Sequence, residues 1–297
     1  MRPLADPGSR GAGIACLLVT AVGWGLNWPA MKQLMLELPP LFARGVAGLG
    51  AAAMFTLIAL ALRQNLRIPA ALRGRLLAAS LVNISAWMGF STLSMQWLTA
   101  GQGALLVYTM PVWATLFAWP VLGHRPNGFA VGGLVLSLAG LLLFFGGHGD
   151  ALDTSRLTGV VFALAAALIF ALGTVGLKPL NTVAPFALLA WQLFLGSLPI
   201  MLVSALFERP DPASMSSTGW LLLLYMTAVP MGLCYLTWFA ALRRLKPALA
   251  AGATLLTPVV GVCAGAAVLG EPLGLRELLA LAMTVGGVGL VIFKGDR

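Results

Sequence analysis

The chain carries one apolar unit twice. Pro111 and Pro258, Gly123 and Gly270, and Gly140 and Gly287 pair off at a constant spacing of 147 positions. Self-similarity at a fixed offset marks a duplicated structural unit. Both copies are built from apolar runs of about 20 residues, the length an α-helix needs to cross a hydrocarbon core. Ten such runs can be placed, at 12–31, 40–62, 76–96, 101–120, 128–146, 157–177, 185–206, 218–240, 248–269 and 275–293. With 60% hydrophobic and 9% charged residues among 297, the chain has too few polar side chains to cover a soluble globule of its size. Lipid cannot satisfy backbone N–H and C=O groups, so runs of this length read as helices. The fold class is an all-α membrane protein of ten transmembrane helices. A cleavable signal is the alternative for the first run, but Trp24, Asn27, Trp28 and Pro29 make a poor cleavage region and nine similar runs follow.

The apolar pattern breaks between Gly146 and Arg156, where Gly146, Gly147, Gly149, Asp150 and Asp153 cluster. This divides the chain into a first repeat, 1–147 with helices one to five, and a second, 148–297 with helices six to ten. An odd number of spans per copy makes the second copy enter from the opposite side. The halves are then inverted, related by a pseudo-two-fold axis in the membrane plane, with a central cavity between them. Two conformations of similar energy, one open to each side, would permit alternating access.

With a cytoplasmic N-terminus, thirteen of the 18 Lys and Arg residues fall on the inner side and only Lys32, Arg156, Arg209 and Arg276 on the outer, with Arg44 inside the second span. The positive-inside rule therefore places both termini in the cytoplasm. The net charge of +9 reads as topology, not as nucleic-acid binding. Cys16, Cys234 and Cys263 all fall within spans and imply no disulfide framework. Gly128 with Gly132 and Gly261 with Gly265, each pair four apart, are expected to let helix backbones approach closely.

Several segments resemble the EamA family of the drug/metabolite transporter superfamily. They are Trp24-Gly25-Leu26-Asn27-Trp28-Pro29-Ala30-Met31-Lys32, Pro40 to Arg44, Ala104 to Pro111 with Leu122-Gly123, Ala248 to Pro258, Leu269-Gly270-Glu271-Pro272-Leu273, and Gly286-Gly287-Val288-Gly289. The resemblance covers nearly the whole chain, and it implies two EamA-like repeats in a carrier, often an exporter, of small metabolites. The family often has Glu after the Leu-Gly pair. Here the second half has Glu271, whereas the first has His124, which leaves that carboxylate's role open in the first half. The Tyr108 region and the Tyr235 to Trp238 segment are similar to the YddG-like exporters of aromatic and other neutral amino acids.

Candidate substrate contacts are the polar and aromatic residues at membrane depth. Trp24, Asn27 and Trp28 share one face of span one at i, i+3 and i+4. Asn83, Trp87, Ser91 and Ser94 form a polar stripe on span three, and Tyr235 and Trp238 follow Pro230 on its counterpart, span eight. Tyr108 precedes Pro111, while Thr254 and Thr257 precede Pro258. Proline frees carbonyls one turn earlier, which makes these two regions candidates for the cavity floor. Phe170 and Thr174 on span six, with Trp191 and Gln192 on span seven, complete the set. Arg44 is the one charge set well inside a span; it either snorkels to the outer headgroups or meets a substrate carboxylate. Lys32 and Lys178 end the first span of each half and read as interfacial anchors, while Trp97, Trp119 and Trp220 read as aromatic belt.

Aromatic walls with hydroxyls and amides suit an amphipathic or aromatic small molecule. A phosphorylated solute would call for several cavity cations. The expected function is export of small neutral metabolites, amino acids first. Efflux of flat aromatic cationic drugs is the alternative within transport. A membrane enzyme is disfavoured because His124 and His148 lie in loops and no acid pair, metal set or nucleophile arrangement appears at depth. No cofactor is expected. The expected partners are the small-molecule substrate and the bilayer, with no nucleic acid; the expected state is a monomer in a bacterial inner membrane.

Overall fold

The computed structural model describes residues 7–145, 154–177, 180, 182–245 and 254–294. Among these, the regular elements are all helical: α1 Pro7–Leu34, α2 Pro40–Ala61, α3 Ala70–Ser80, α4 Trp87–Ser94, α5 Ala100–Val107, α6 Met110–Leu122 and α7 Gly128–Phe145 come first. Then follow α8 Thr154–Gly176, α9 Pro185–Phe207, α10 Ser217–Ala228, α11 Cys234–Leu242, α12 Leu256–Leu269 and α13 Leu275–Lys294. Nine stretches of the described chain are long and apolar enough to cross a membrane, with α12 as a shorter apolar helix. Three of the nine are broken helices: α3–α4, α5–α6 and α10–α11 each make one span. The expected repeat junction at 146–153, Lys178, and the start of the ninth predicted span at 248–253 lie outside the described residues.

Packing partners exchange between the two copies. α7 lies along α13 and α2 along α9, so these helices meet their own counterparts. α1 packs on α11 and α12, while its counterpart α8 packs on α4, α5 and α6. The same exchange holds at the atomic level between α7 and α13. A Cβ on Gly140 would lie 2.8 Å from both the Ala280 carbonyl and the Thr284 nitrogen, and one on Gly287 would run into the Gly133 carbonyl and Ser137. Ser137 Oγ donates to the Thr284 carbonyl at 3.3 Å, between residues that are themselves 147 apart. Small residues that let backbones meet are what holds helices together where lipid removes the hydrophobic drive.

The expected close-approach glycines are only partly the ones used. Gly261 and Gly265 are tight, with Ala104 Cβ 3.2 Å from a Cβ placed on Gly261. Gly128 and Gly132 meet nothing within 4 Å, because it is the neighbouring face of α7, carrying Gly133 and Gly140, that turns to α13.

The described carboxylates serve helix starts, where unpaired N–H groups and the dipole favour negative charge. Glu271 accepts from Ala100 N (2.5 Å) and Gly101 N (2.9 Å) at the start of α5. Glu208 accepts from Leu41 N and Phe42 N at the start of α2. In return Gln64, just past α2, accepts from Phe186 N and Ala187 N at the start of α9. Glu37 takes Ser216 N, Asp211 takes Ala213 N, and Glu277 takes Gly274 N. Cations serve helix ends. Lys32 Nζ donates to the Met95 and Leu98 carbonyls after α4, and Arg276 donates to the Leu143 carbonyl at the end of α7. Lys32 is thus a helix-end cap, not merely an interfacial anchor. Glu271→Gln should weaken the α5 cap and destabilise the protein by about 1 kcal/mol, read as a lower midpoint of thermal unfolding in detergent.

Candidate functional site

A cavity of about 310 Å³ lies at the central part of the bundle, lined from α1, α2, α4, α8 and α11 and from the breaks in the other spans. Each of the three broken spans contributes at its break. Leu81–Ala86 and Val229–Leu233 are π-helical turns, joining α3 to α4 and α10 to α11. A π turn widens the helix by one residue and re-aims its side chains. The first presents Asn83 to the cavity and the second Pro230 and Met231. The pause between α5 and α6 presents Tyr108 and Met110 just before Pro111, and Thr254 lines the cavity just before α12 and Pro258.

The aromatic contacts around the cavity fall into three groups. Trp24 meets Tyr235 edge-on and Trp238 at a tilt, both with ring centroids 5.7 Å apart. Tyr235 meets Phe55 at 6.4 Å, Trp28 meets Tyr108 at 6.5 Å, and Trp87 meets Phe170 at 5.8 Å. The Trp24 indole N–H donates to the Pro230 carbonyl at 2.9 Å, tying α1 to the π turn of the opposite half. Trp24→Phe keeps the ring but removes this donor. It is expected to lower the unfolding midpoint by the equivalent of about 1 kcal/mol in differential scanning fluorimetry, with a smaller effect from Trp238→Phe.

Polar groups face the aromatic ones. Arg44 lines the cavity and is only 4% exposed, so it does not snorkel to the headgroups. Its Nε donates to Thr92 Oγ1 at 2.8 Å and its Nη1 to Asn27 Oδ1 at 3.3 Å, both neutral partners. No carboxylate pairs with it among the described residues. Asn83 Oδ1 and Trp87 Nε1, also on the cavity wall, are buried without a hydrogen-bond partner. None of the described acids lines the cavity, and no cluster of His, Cys, Asp and Glu able to hold a metal occurs among the described residues.

Of the residues singled out from the sequence, the structure brings Trp24, Asn27, Trp28, Arg44, Asn83, Trp87, Tyr108, Phe170, Tyr235, Trp238 and Thr254 onto this one cavity, while Thr257 and Gln192 are not on it. Thr174 and Trp191 lie elsewhere. Thr174 is exposed and spends its hydroxyl on the Phe170 carbonyl one turn back; it is Phe170 that reaches the cavity. The Trp191 indole donates to the Leu66 carbonyl at 2.8 Å, which holds the ring toward the α2–α3 connection. The expected polar stripe on span three also changes face. Ser91 and Ser94 bond back to the Met88 and Ser91 carbonyls, while Thr92, one turn after Met88, reaches Arg44. Sequence reading missed Thr92, Met88 and Met231. The helical period starting from Met88 instead of Trp87 would have found the first.

A multi-pass helical bundle whose broken spans converge on a cavity lined by none of the described acids has the form of a small-molecule carrier. The EamA-like transporter family model matches the chain twice, over residues 11–146 and 157–293, and the chain belongs to that family. It is a membrane transporter, not an enzyme, whose partners are a small-molecule substrate and the lipid bilayer. The chain is 30% identical to "Uncharacterized transporter YvbV" of Bacillus subtilis, over 97% of this chain and 93% of that one. It is 28% identical to a "Probable amino-acid metabolite efflux pump" of Salmonella typhimurium, with 96% of each chain covered. A solved crystal structure superposes with a TM-score of 0.68 at 18% identity, covering 99% of both chains, which supports the fold alone.

Proposed function

We propose that the chain exports small neutral amino acids or related aromatic metabolites by alternating access through the central cavity. The observation that carries this reading is a buried guanidinium, Arg44, on the same cavity as the rings of Trp24, Tyr235 and Trp238 and without a carboxylate partner among the described residues. A buried charge that its own protein leaves uncompensated is an expensive feature to keep. A substrate carboxylate compensates it, with Asn83 Oδ1 and Trp87 Nε1 available to an ammonium and a second carboxylate contact, and with Trp24, Tyr235 and Trp238 around the side chain. The printed name of the Salmonella typhimurium relative, an amino-acid metabolite efflux pump, supports the substrate class. The YddG-like resemblance at Tyr108 and Tyr235 to Trp238 points the same way.

Alternating access is supported by the exchange of packing partners between the copies, which is what two inverted five-helix repeats, 1–147 and 148–297, produce. The π turns beside Asn83 and Pro230 are where such a bundle can flex with least loss of backbone bonding. The described acids are committed to helix caps, which favours a cycle without a carboxylate proton carrier in the cavity. The reading includes a monomer in the bacterial inner membrane with both termini in the cytoplasm. Efflux of aromatic cations fits less well, because Arg44 puts a positive charge where the cation would sit.

Counterflow of radiolabelled amino acids into liposomes holding the purified protein tests the proposal. Trans-stimulated uptake of phenylalanine, tryptophan or a branched-chain amino acid is the expected result. Folded protein that exchanges no amino acid, yet moves an aromatic cation, would overturn the substrate assignment.

A further inference from the structure

A second, larger cleft of about 1030 Å³ opens at the α2–α3 connection, and it shares no lining residue with the central cavity. The chain leaves α2 through Arg63, whose φ of +52° is left-handed, and the following segment is then fastened down. Gln64 accepts from Phe186 N and Ala187 N, and the Leu66 carbonyl accepts the Trp191 indole N–H. This connection therefore has a built conformation against α9. Its arginines face outward as a result: Arg67 and Arg73 are exposed and line the cleft, with Arg73 Nε only loosely placed, 3.4 Å from the Ile68 carbonyl.

The cleft changes character with depth. At its rim are Arg67 and Arg73. Its floor is Leu76, Trp191 and Leu195. At 1.5 Å per residue, Trp191 and Leu195 lie roughly 9 and 15 Å into α9 from Pro185, and Leu76 roughly 9 Å into α3 from Ala70. Both helices belong to membrane-length apolar stretches. Cationic groups at the end of the spans with an apolar slot running about 10 to 15 Å inward match a phospholipid, whose phosphate lies at the interface and whose chains lie below it. A soluble anion would use the rim and leave the slot empty. The charge is one-signed as well, since no Asp or Glu occurs anywhere between Glu37 and Asp150.

We propose that this cleft is a binding site for one anionic phospholipid, its headgroup phosphate held by Arg67 and Arg73 and its acyl chains in the slot beside Trp191. The site is independent of the transported solute and stands whether or not the cavity carries amino acids. It gives the net charge of +9 a local use, and it places lipid against the loop that caps α9.

The test uses the full-length protein in vesicles of phosphatidylcholine doped with brominated phosphatidylglycerol or brominated phosphatidylcholine, reading quenching of tryptophan fluorescence. Brominated phosphatidylglycerol is expected to quench at roughly tenfold lower mole fraction, the preference two interfacial arginines supply. That preference should vanish in Arg67→Gln/Arg73→Gln, and the quenched component should be missing in Trp191→Phe. Native mass spectrometry of the unaltered protein gives a second measurement that needs no variant: one phosphatidylglycerol retained, and no phosphatidylcholine. Equal quenching by both lipids would overturn the proposal, as would a preference that survives removal of both arginines in folded protein. Release of the lipid by millimolar inorganic phosphate would mean a soluble-anion site, which also overturns it.

Discussion

Arg44→Gln is expected to reduce counterflow of amino acids roughly ten- to hundredfold, because a hydrogen-bonded contact to a charged group is worth about 1.5–3 kcal/mol. The same variant should leave exchange of the corresponding amino-acid amide, which has no carboxylate, within about threefold. That split separates a substrate contact from a structural one. Arg44 is also bonded to Thr92 and Asn27, so general damage from its loss would depress both solutes together. Folding should not be the casualty. A buried guanidinium held only by neutral groups costs desolvation energy that glutamine does not, so the unfolding midpoint should stay level or rise. Equal loss for the acid and the amide would remove Arg44 from the binding site and, with it, the main reason to favour amino acids over cations.

The same charge logic runs through the whole bundle. The chain has only nine acidic residues, and the described ones lie at helix starts and accept backbone N–H groups. Lys32 and Arg276 do the converse at helix ends. Among the described residues, what is left for the cavity is one cation, a few amide and hydroxyl groups, and rings. In the proposed function, a site with this inventory would distinguish solutes by carboxylate, size and aromatic contact.

How the spans lie was legible because hydropathy is a local property, and the nine long helices follow the apolar runs within a few residues. The cavity was legible where a residue type is costly at depth: Arg44, Asn27, Asn83 and the mid-span tryptophans have few other uses in lipid. The misses have physical causes. Nothing in Leu81–Ala86 signals a π turn, since it holds neither Pro nor Gly, so the face beyond it was assigned to Ser91 when Thr92 occupies it. Trp191 looks like a cavity ring until the Leu66 carbonyl, 125 positions away, is seen to hold it. Glu271 read only as the acid after the Leu-Gly pair, and its partners at Ala100 and Gly101 are 171 and 170 positions distant. Pairings of that range come from the way the two copies interlock, which composition and periodicity do not encode.

That interlocking makes the strongest prediction about folding. Gly140→Val and Gly287→Val should each destabilise the protein by about 3 kcal/mol, at the upper end of overpacking costs. The reason is the identity of what a new side chain would strike. A Cβ on Gly140 meets the Ala280 carbonyl and the Thr284 nitrogen, and one on Gly287 meets the Gly133 carbonyl and the Ser137 nitrogen. These are backbone atoms inside helices, which cannot swing aside as a flexible side chain can. α7 and α13 would have to separate along their length, and this is among the most extensive helix pairings in the structure. Gly132→Val is the control, because a Cβ there meets nothing within 4 Å. If the copies are related by a two-fold operation, the two damaging substitutions should be matched in size, with thermal unfolding midpoints in detergent lowered to a similar degree. A large effect at Gly140 with none at Gly287 would show that the equivalence of the two halves ends at the sequence.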